Sequence, residues 1–345
     1  MFRRLRRHLT AETPVTPAEP VPQAVTEVPG TSPLSPRVQS AVQFRREHPN
    51  DFYGGWEEED IALFQSARRS STAQPGTITD FLGTRTATGL HPWAAWHDGA
   101  VFDDLPIPDD QLRAEAIEYF ALLHAFDRAG PDSFTIAELG ASFGPWVCAA
   151  AVEARHRGVP RVRLTAVEAS HLHFEQIQYH LATNGVSIEN AELNLVHGAI
   201  ATEAGTLYFP KVHSLNDNGS QAVETARDHD YIGREVEHEA VTAYTLDQVL
   251  AEGITDLLHV DIQGTEGRLL SANIDLLDAR VRTMFIGTHS RRIEGELLDL
   301  LHGRGWTLVR ERPCQFSYRT EIADITGWTT RDGGQVWTNP RLDRV

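Results

Sequence analysis

A chain of 345 residues, 41% hydrophobic and 23% charged, is long enough to bury a core without disulfide or metal staples. Thirty-one basic against forty-eight acidic residues leave a net charge of −17, the wrong sign for a nucleic-acid binder that neutralises phosphates. No apolar run approaches the roughly 18 residues of a membrane span, and Cys148 and Cys314 match no zinc or redox spacing, so a cytoplasmic protein is expected.

Residues 1–40 read as a disordered tail. The basic, amphipathic start Met1–Leu9 is followed by prolines 14, 17, 20, 22, 29, 33 and 36, which remove donors and hold the chain extended. Four arginines in residues 1–9 suit at most weak contact with an anionic membrane surface. Residues 41–130 are expected to form a helical substrate or cap region. Acids at 57–60 complement a helix dipole and predict a helix over 57–69. Leu112, Ala116, Phe120, Leu123 and Phe126 on one face predict another over 109–128. The aromatics of this stretch, Trp93 and Trp96 included, read as core.

The third stretch, 131–345, alternates strands and helices. Strands are predicted at 134–139, 162–168, 192–197, 205–209, 255–261, 282–288, 306–311 and 335–338, with helices at 146–157, 171–183 and 292–304. That alternation predicts an α/β, doubly wound, mostly parallel sheet.

Three motifs sit at the predicted strand ends. Glu138-Leu-Gly-Ala-Ser-Phe-Gly144 joins a strand to a helix, where Gly140 and Gly144 permit a sharp turn close to a ligand. It is neither G-x-G-x-x-G nor a phosphate loop ending in Gly-Lys-Ser/Thr. Glu138 would repel a pyrophosphate and attract an ammonium. Glu168 ends the next strand, where an acid accepts both hydroxyls of a ribose. Alternatively, Glu168 caps the following helix, with Ser170 the better cap. Asp261 and His289 end two later strands on the same edge, and a histidine there is poised to move a proton at neutral pH. His259, in mid-strand, reads as core.

These residues resemble the FkbM family of S-adenosylmethionine-dependent methyltransferases over about 134–310. The 138–144 turn is similar to the family's D-x-G-A-N-x-G, with Ser142 in the place of Asn. Val167-Glu168-Ala169 resembles F-E-P, Asn184-Gly185 the N-G after the second helix, and 241–250 the V-x-x-x-T-L-D-x-L segment. His259–Glu266 resembles K-I-D-V-E-G-A-E, with Gln263 where Glu is usual, and His289 matches the strand-end histidine.

The resemblance implies a class I, Rossmann-like methyltransferase fold with a seven-stranded sheet, its last strand antiparallel, and an N-terminal helical extension. It implies S-adenosyl-L-methionine as cofactor, held by Glu138, Gly140, Ala141, Ser142, Gly144, Glu168, Gly198 and Ala199. It implies transfer to a hydroxyl of a small-molecule or glycan acceptor, with Asp261 and His289 as catalytic groups. The polar segment 210–235, with Ser214, Asn216, Asp217, Asn218, Ser220, His229 and Tyr231, reads as a lid or as an ordinary surface loop. Asp261, Glu266 and His289 are also types that hold a divalent cation, but histidine is atypical for magnesium and Gln263 is uncharged, so no metal is expected. A nicotinamide-dependent oxidoreductase is disfavoured by the missing dinucleotide fingerprint. A non-catalytic scaffold module stays open as the other alternative.

Overall fold

The computed structural model describes residues 34–48 and 56–343. The basic start and most of the expected tail lie outside the described residues. From Pro36 onward the chain is helical: α1 (Pro36–Glu47) begins inside the segment read as tail, with Ser35 accepting the Val38 N–H at its start. Next comes α2 (Glu58–Ala67), where Glu57 and Asp60 form a capping box.

The helix expected over 109–128 begins only at Ala116, as α3 (Ala116–Arg128). Asp110 is the reason. Its Oδ1 accepts the N–H groups of Leu112, Arg113 and Ala114 at 2.8, 2.8 and 3.0 Å, a turn that competes with helical pairing.

Seven strands form the central sheet: β1 (Ser133–Leu139), β2 (Arg161–Glu168), β3 (Glu192–His197), β4 (Thr255–Val260), β5 (Val281–Thr288), β6 (Thr307–Arg312) and β7 (Gly333–Thr338). Their order across the sheet is β6-β7-β5-β4-β1-β2-β3. All neighbours from β5 to β3 are parallel, while β7 runs antiparallel to both β5 and β6.

The chain moves outward from β1 to β2 and β3 and then restarts at β4 on β1's other side. This reversal opens a crevice beyond the carboxyl ends of β1, β2 and β4. Alternate residues face two cores. Ile136, Leu164, Leu257, Phe285 and Val336 pack with α2, α3, α4 (Pro145–Arg157) and α5 (His171–Thr183). Leu139, Val167, Leu258, Met284 and Trp337 pack on the other face, where α6 (Glu266–Ala272), α7 (Ile274–Arg280) and α8 (Arg291–Gly303) lie.

The residues before β1 therefore share a core with the sheet. Their aromatics divide: Phe64, Phe81 and Phe120 are buried, whereas Trp96 is 80% exposed and is not core. A small three-stranded sheet formed by Ala199–Ile200, Gly205–Pro210 and His238–Tyr244 carries the long loop over 211–237. The strand His238–Tyr244 and the helices α6 and α7 were not among the elements expected from the sequence. Among the described residues, no helix is long and apolar enough to cross a membrane.

Candidate active site

The turn after β1 is fixed from three sides. The N–H groups of Gly140 and Ala141 both donate to the Val167 carbonyl, at 3.0 and 2.9 Å, which ties the turn to β2. Gly140 has φ +76°, and a Cβ there would lie 1.8 Å from the Asp261 carbonyl oxygen, so only glycine fits. Ser142 adopts φ +46°, aiming its N–H at the Glu168 carboxylate 2.7 Å away.

Glu168 is buried at the tip of β2. Its second oxygen accepts the Ser170 N–H at 2.7 Å, while the Ser170 hydroxyl caps α5. The acid thus braces the helix entry and at the same time lines a cleft. Burial pushes its pKa up to about 7 against those backbone bonds, and the Glu138 carboxylate adds to the rise.

Glu138, at the end of β1, turns toward the helix that follows. Its carboxylate accepts the N–H groups of Trp146 and Val147, at 3.2 and 2.8 Å, and so holds the start of α4. Burial raises it also to about 7.

Two solvent-connected clefts meet at this turn. The first, about 590 Å³, is walled by Glu168, Ala169, Gly198, Ala199, Phe209 and the 217–222 segment. The second, about 860 Å³, is walled by Arg113, Glu118, Glu138, Phe143, Trp146 and His259. Gly140, Ser142, Asn218 and Asp261 belong to both walls. The Ser142 hydroxyl donates to Asn218 Oδ1 at 2.8 Å, which latches the 211–237 loop across the junction. Tyr231 of the same loop donates to the Gln263 side chain at 3.1 Å, but His229 reaches neither cleft.

Most of the residues singled out from sequence converge here. Gly140, Ser142, Glu168, Gly198, Ala199 and Asp261 line the first cleft, and Glu138 and Ala141 the second. Gly144 lines neither; in left-handed conformation at φ +73°, it starts α4 against Ile177.

His289 also lines neither cleft. It is buried behind Asp261, with Nδ1 2.8 Å from Glu266 and Nε2 3.2 Å from Asp261 Oδ1. Burial opposes its charge, but Glu266 and Asp261 outweigh burial and hold its pKa well above the usual histidine range. Both ring nitrogens of His289 face carboxylates, and neither opens on a cleft. Burial would raise Asp261, yet the His289 ring, His259 and the Gln263 amide together keep it below the ordinary carboxylate range.

Sequence reasoning missed Arg113 and Glu118 in the second wall. Arg113 pairs with buried Asp80 at 3.3 Å, and Tyr119 donates to Asp110 at 2.9 Å beside it. His259 is buried as expected, stacked on Trp146 and Phe285, but it also faces the second cleft 3.7 Å from Glu118. No motif or periodic face in the sequence marks Arg113 or Glu118.

A sheet in the order β6-β7-β5-β4-β1-β2-β3 with only β7 reversed, and a glycine turn facing an acid at the tip of β2, define a class I methyltransferase fold. The family model for the methyltransferase FkbM domain matches residues 138–312. A protein of Jannaschia sp. (strain CCS1) named as a methyltransferase is 32% identical over 247 residues, covering 71% of this chain and 87% of that one. The chain belongs to the FkbM methyltransferase family. Among solved structures it is similar to the methyltransferase FkbM from Methylobacillus flagellatus KT, with 12% identity and a TM-score of 0.36 over 63% of this chain and 53% of that one. It is also similar to a ribosomal protein L11 methylase from Lactobacillus delbrueckii subsp. bulgaricus, with 14% identity and a TM-score of 0.33 over 70% and 85% of the two chains.

Proposed function

We propose that the chain is an S-adenosyl-L-methionine-dependent O-methyltransferase whose acceptor is a hydroxyl of a small molecule or glycan. Bound in the first cleft, S-adenosyl-L-methionine supplies an electrophilic methyl group on a sulfonium sulfur. Glu168 accepts the ribose hydroxyls, its carboxylate already aimed by the Ser142 and Ser170 amides. Ala169 and Ala199 line the same cleft and would border the adenine, and the Gly140 turn would let the amino-acid end pass close to the backbone.

The acceptor enters the second cleft, whose aromatic walls Phe143 and Trp146 and whose amides Asn216 and Asn218 suit a polyhydroxylated ring. Asp261, half-buried in the wall common to both clefts, accepts the hydroxyl's hydrogen bond and directs its oxygen at the methyl carbon. Transfer would form the C–O bond as the C–S bond breaks. The oxygen, then positively charged and far more acidic than a carboxylic acid, would give its proton to Asp261 even though that carboxyl is held below its ordinary range. Glu266, His289 and Gln263 hold that carboxylate in place.

The observation that carries this reading is the first cleft, whose wall brings Gly140, Glu168 and Asp261 together and shares Asp261 with the second. The test is incubation with methyl-labelled S-adenosyl-L-methionine and a panel of sugars and polyols, followed by mass spectrometry. Label should appear on an acceptor hydroxyl; label only on nitrogen or carbon acceptors would refute the O-methyl assignment.

A further inference from the structure

The turn after β4 and the 211–237 loop meet at Gln263. This residue adopts φ +54°, a left-handed conformation that a side-chain-bearing residue keeps only where its surroundings hold it. Three bonds hold it here. Its amide nitrogen donates to Asp261 Oδ1 at 3.2 Å. Its amide oxygen accepts from the Tyr231 hydroxyl at 3.1 Å, and its backbone carbonyl accepts from the Gln221 amide. Tyr231 and Gln221 both belong to the loop. Gly264 lets the loop come this close, since a Cβ there would stand 3.0 Å from Gln221 Nε2.

The polarity of these bonds runs one way. Asp261 is held below the ordinary carboxylate range, so it is ionised and offers only acceptors, and the amide must show it an N–H. The Tyr231 hydroxyl has a second acceptor beside it, the Gly219 carbonyl at 3.0 Å, so it too comes to Gln263 as a donor. Turning the amide over would set its oxygen against the Asp261 carboxylate. Glutamate at this position would still accept from Tyr231, but it would place a second carboxylate beside Asp261 and offer it no N–H. The same loop walls both clefts, through Asp217, Asn218, Ser220 and Ala222 in the first and Asn216 and Asn218 in the second.

We propose that Gln263 is a positioning residue through which the 211–237 loop sets the Asp261 carboxylate. With the loop docked, Tyr231 fixes the Gln263 amide, and the amide fixes Asp261 at the wall common to the two clefts. With the loop lifted, that support is lost, so the carboxylate is in place only when the clefts are covered. Acceptance of the hydroxyl's proton is thereby tied to a closed, water-poor site. The inference rests on the reading that Asp261 receives the acceptor hydroxyl, but its test needs no turnover.

The experiment follows the Asp261 carboxyl carbon by NMR in the full chain labelled with carbon-13 at its aspartate carboxyls, the resonance being assigned by its loss in Asp261→Asn. The wild-type titration midpoint should lie below the ordinary carboxylate range. Gln263→Glu should raise it by at least ~1 unit, and Tyr231→Phe, which keeps the amide but frees it, by roughly half a unit. Glu224→Gln, on the same loop but paired with Arg268, should not raise it. His289, His259, Glu118 and Asp332 also act on Asp261, and they are unchanged in all three variants. A midpoint unmoved in either folded variant, or raised as much by Glu224→Gln, would overturn the proposal. Melting curves show which variants fold, and Tyr231→Phe keeps the result decisive if Gln263→Glu does not. The expected shifts in a protein that transfers no methyl group would refute the proposed function and leave the coupling standing. Methyl transfer with an unmoved midpoint would refute the coupling alone.

Discussion

Replacing Glu168 by Gln separates what the acid costs the fold from what it does for the ligand. The carboxylate is 6% exposed, and burial raises its pKa from 4.5 to about 7, with the nearby Glu138 charge adding to the rise. A folded-state pKa above the unfolded one means a contribution fully present below pH 4.5 and lost as pH rises through about 7. At about 1.4 kcal/mol per unit, ionising this side chain in the free protein costs up to about 3 kcal/mol. Glutamine carries no charge and removes that slope. It also has one oxygen for two donors, so either the Ser142 or the Ser170 N–H loses its acceptor, costing about 1–3 kcal/mol at every pH. The diagnostic quantity is therefore the pH dependence of the difference, not the melting point at one pH. Urea unfolding of both proteins from pH 4.5 to 8 should show wild type losing up to about 3 kcal/mol relative to Glu168→Gln. Parallel stability curves would refute the reasoning. Wild-type affinity for S-adenosyl-L-homocysteine should meanwhile rise as pH passes about 7, because the ribose hydroxyls donate to the ionised form.

Gly140→Ala should abolish donor binding and destabilise the chain, since the new Cβ would stand 1.8 Å from the Asp261 carbonyl at φ +76°; near-normal calorimetric binding would contradict this packing. Arg113→Leu strands buried Asp80 and should cost about 3–5 kcal/mol in chemical denaturation. Adding Asp80→Asn should recover part of that loss, and a double variant no better than the single would argue against the pair. Ser142→Ala removes the latch to Asn218 without touching the core, so the melting temperature should hold while the acceptor's KM changes severalfold. An unchanged KM would mean the loop does not gate the clefts.

Much of the sheet could be read directly because its signals are local. β1, β4 and β5 are short segments with apolar centres, buried along almost their whole length, and Pro145 with Gly158 marks the limits of α4. The residues lining the first cleft were legible for the same reason: Gly140 and Glu168 sit where strands hand over to helices. What stayed hidden depends on contacts distant in sequence. Asp332 meets His289 only because β7 inserts beside β5. Arg113 and Glu118 reach the second cleft only because α3 packs across β4 and β5. Likewise, Asp110 delays the start of α3 through side-chain bonds that apolar periodicity does not register. His289 follows β5 at its strand end as read from the sequence, but it is buried between Glu266 and Asp261 and lines neither cleft.

The most direct test is calorimetric titration of the full chain with S-adenosyl-L-homocysteine, repeated on Glu168→Ala. One saturable site per chain, lost in the variant while its circular dichroism stays native, is the expected result. Failure of the wild type to bind, or equal affinity in Glu168→Ala, would contradict the claim that the acid at the tip of β2 holds the methyl donor.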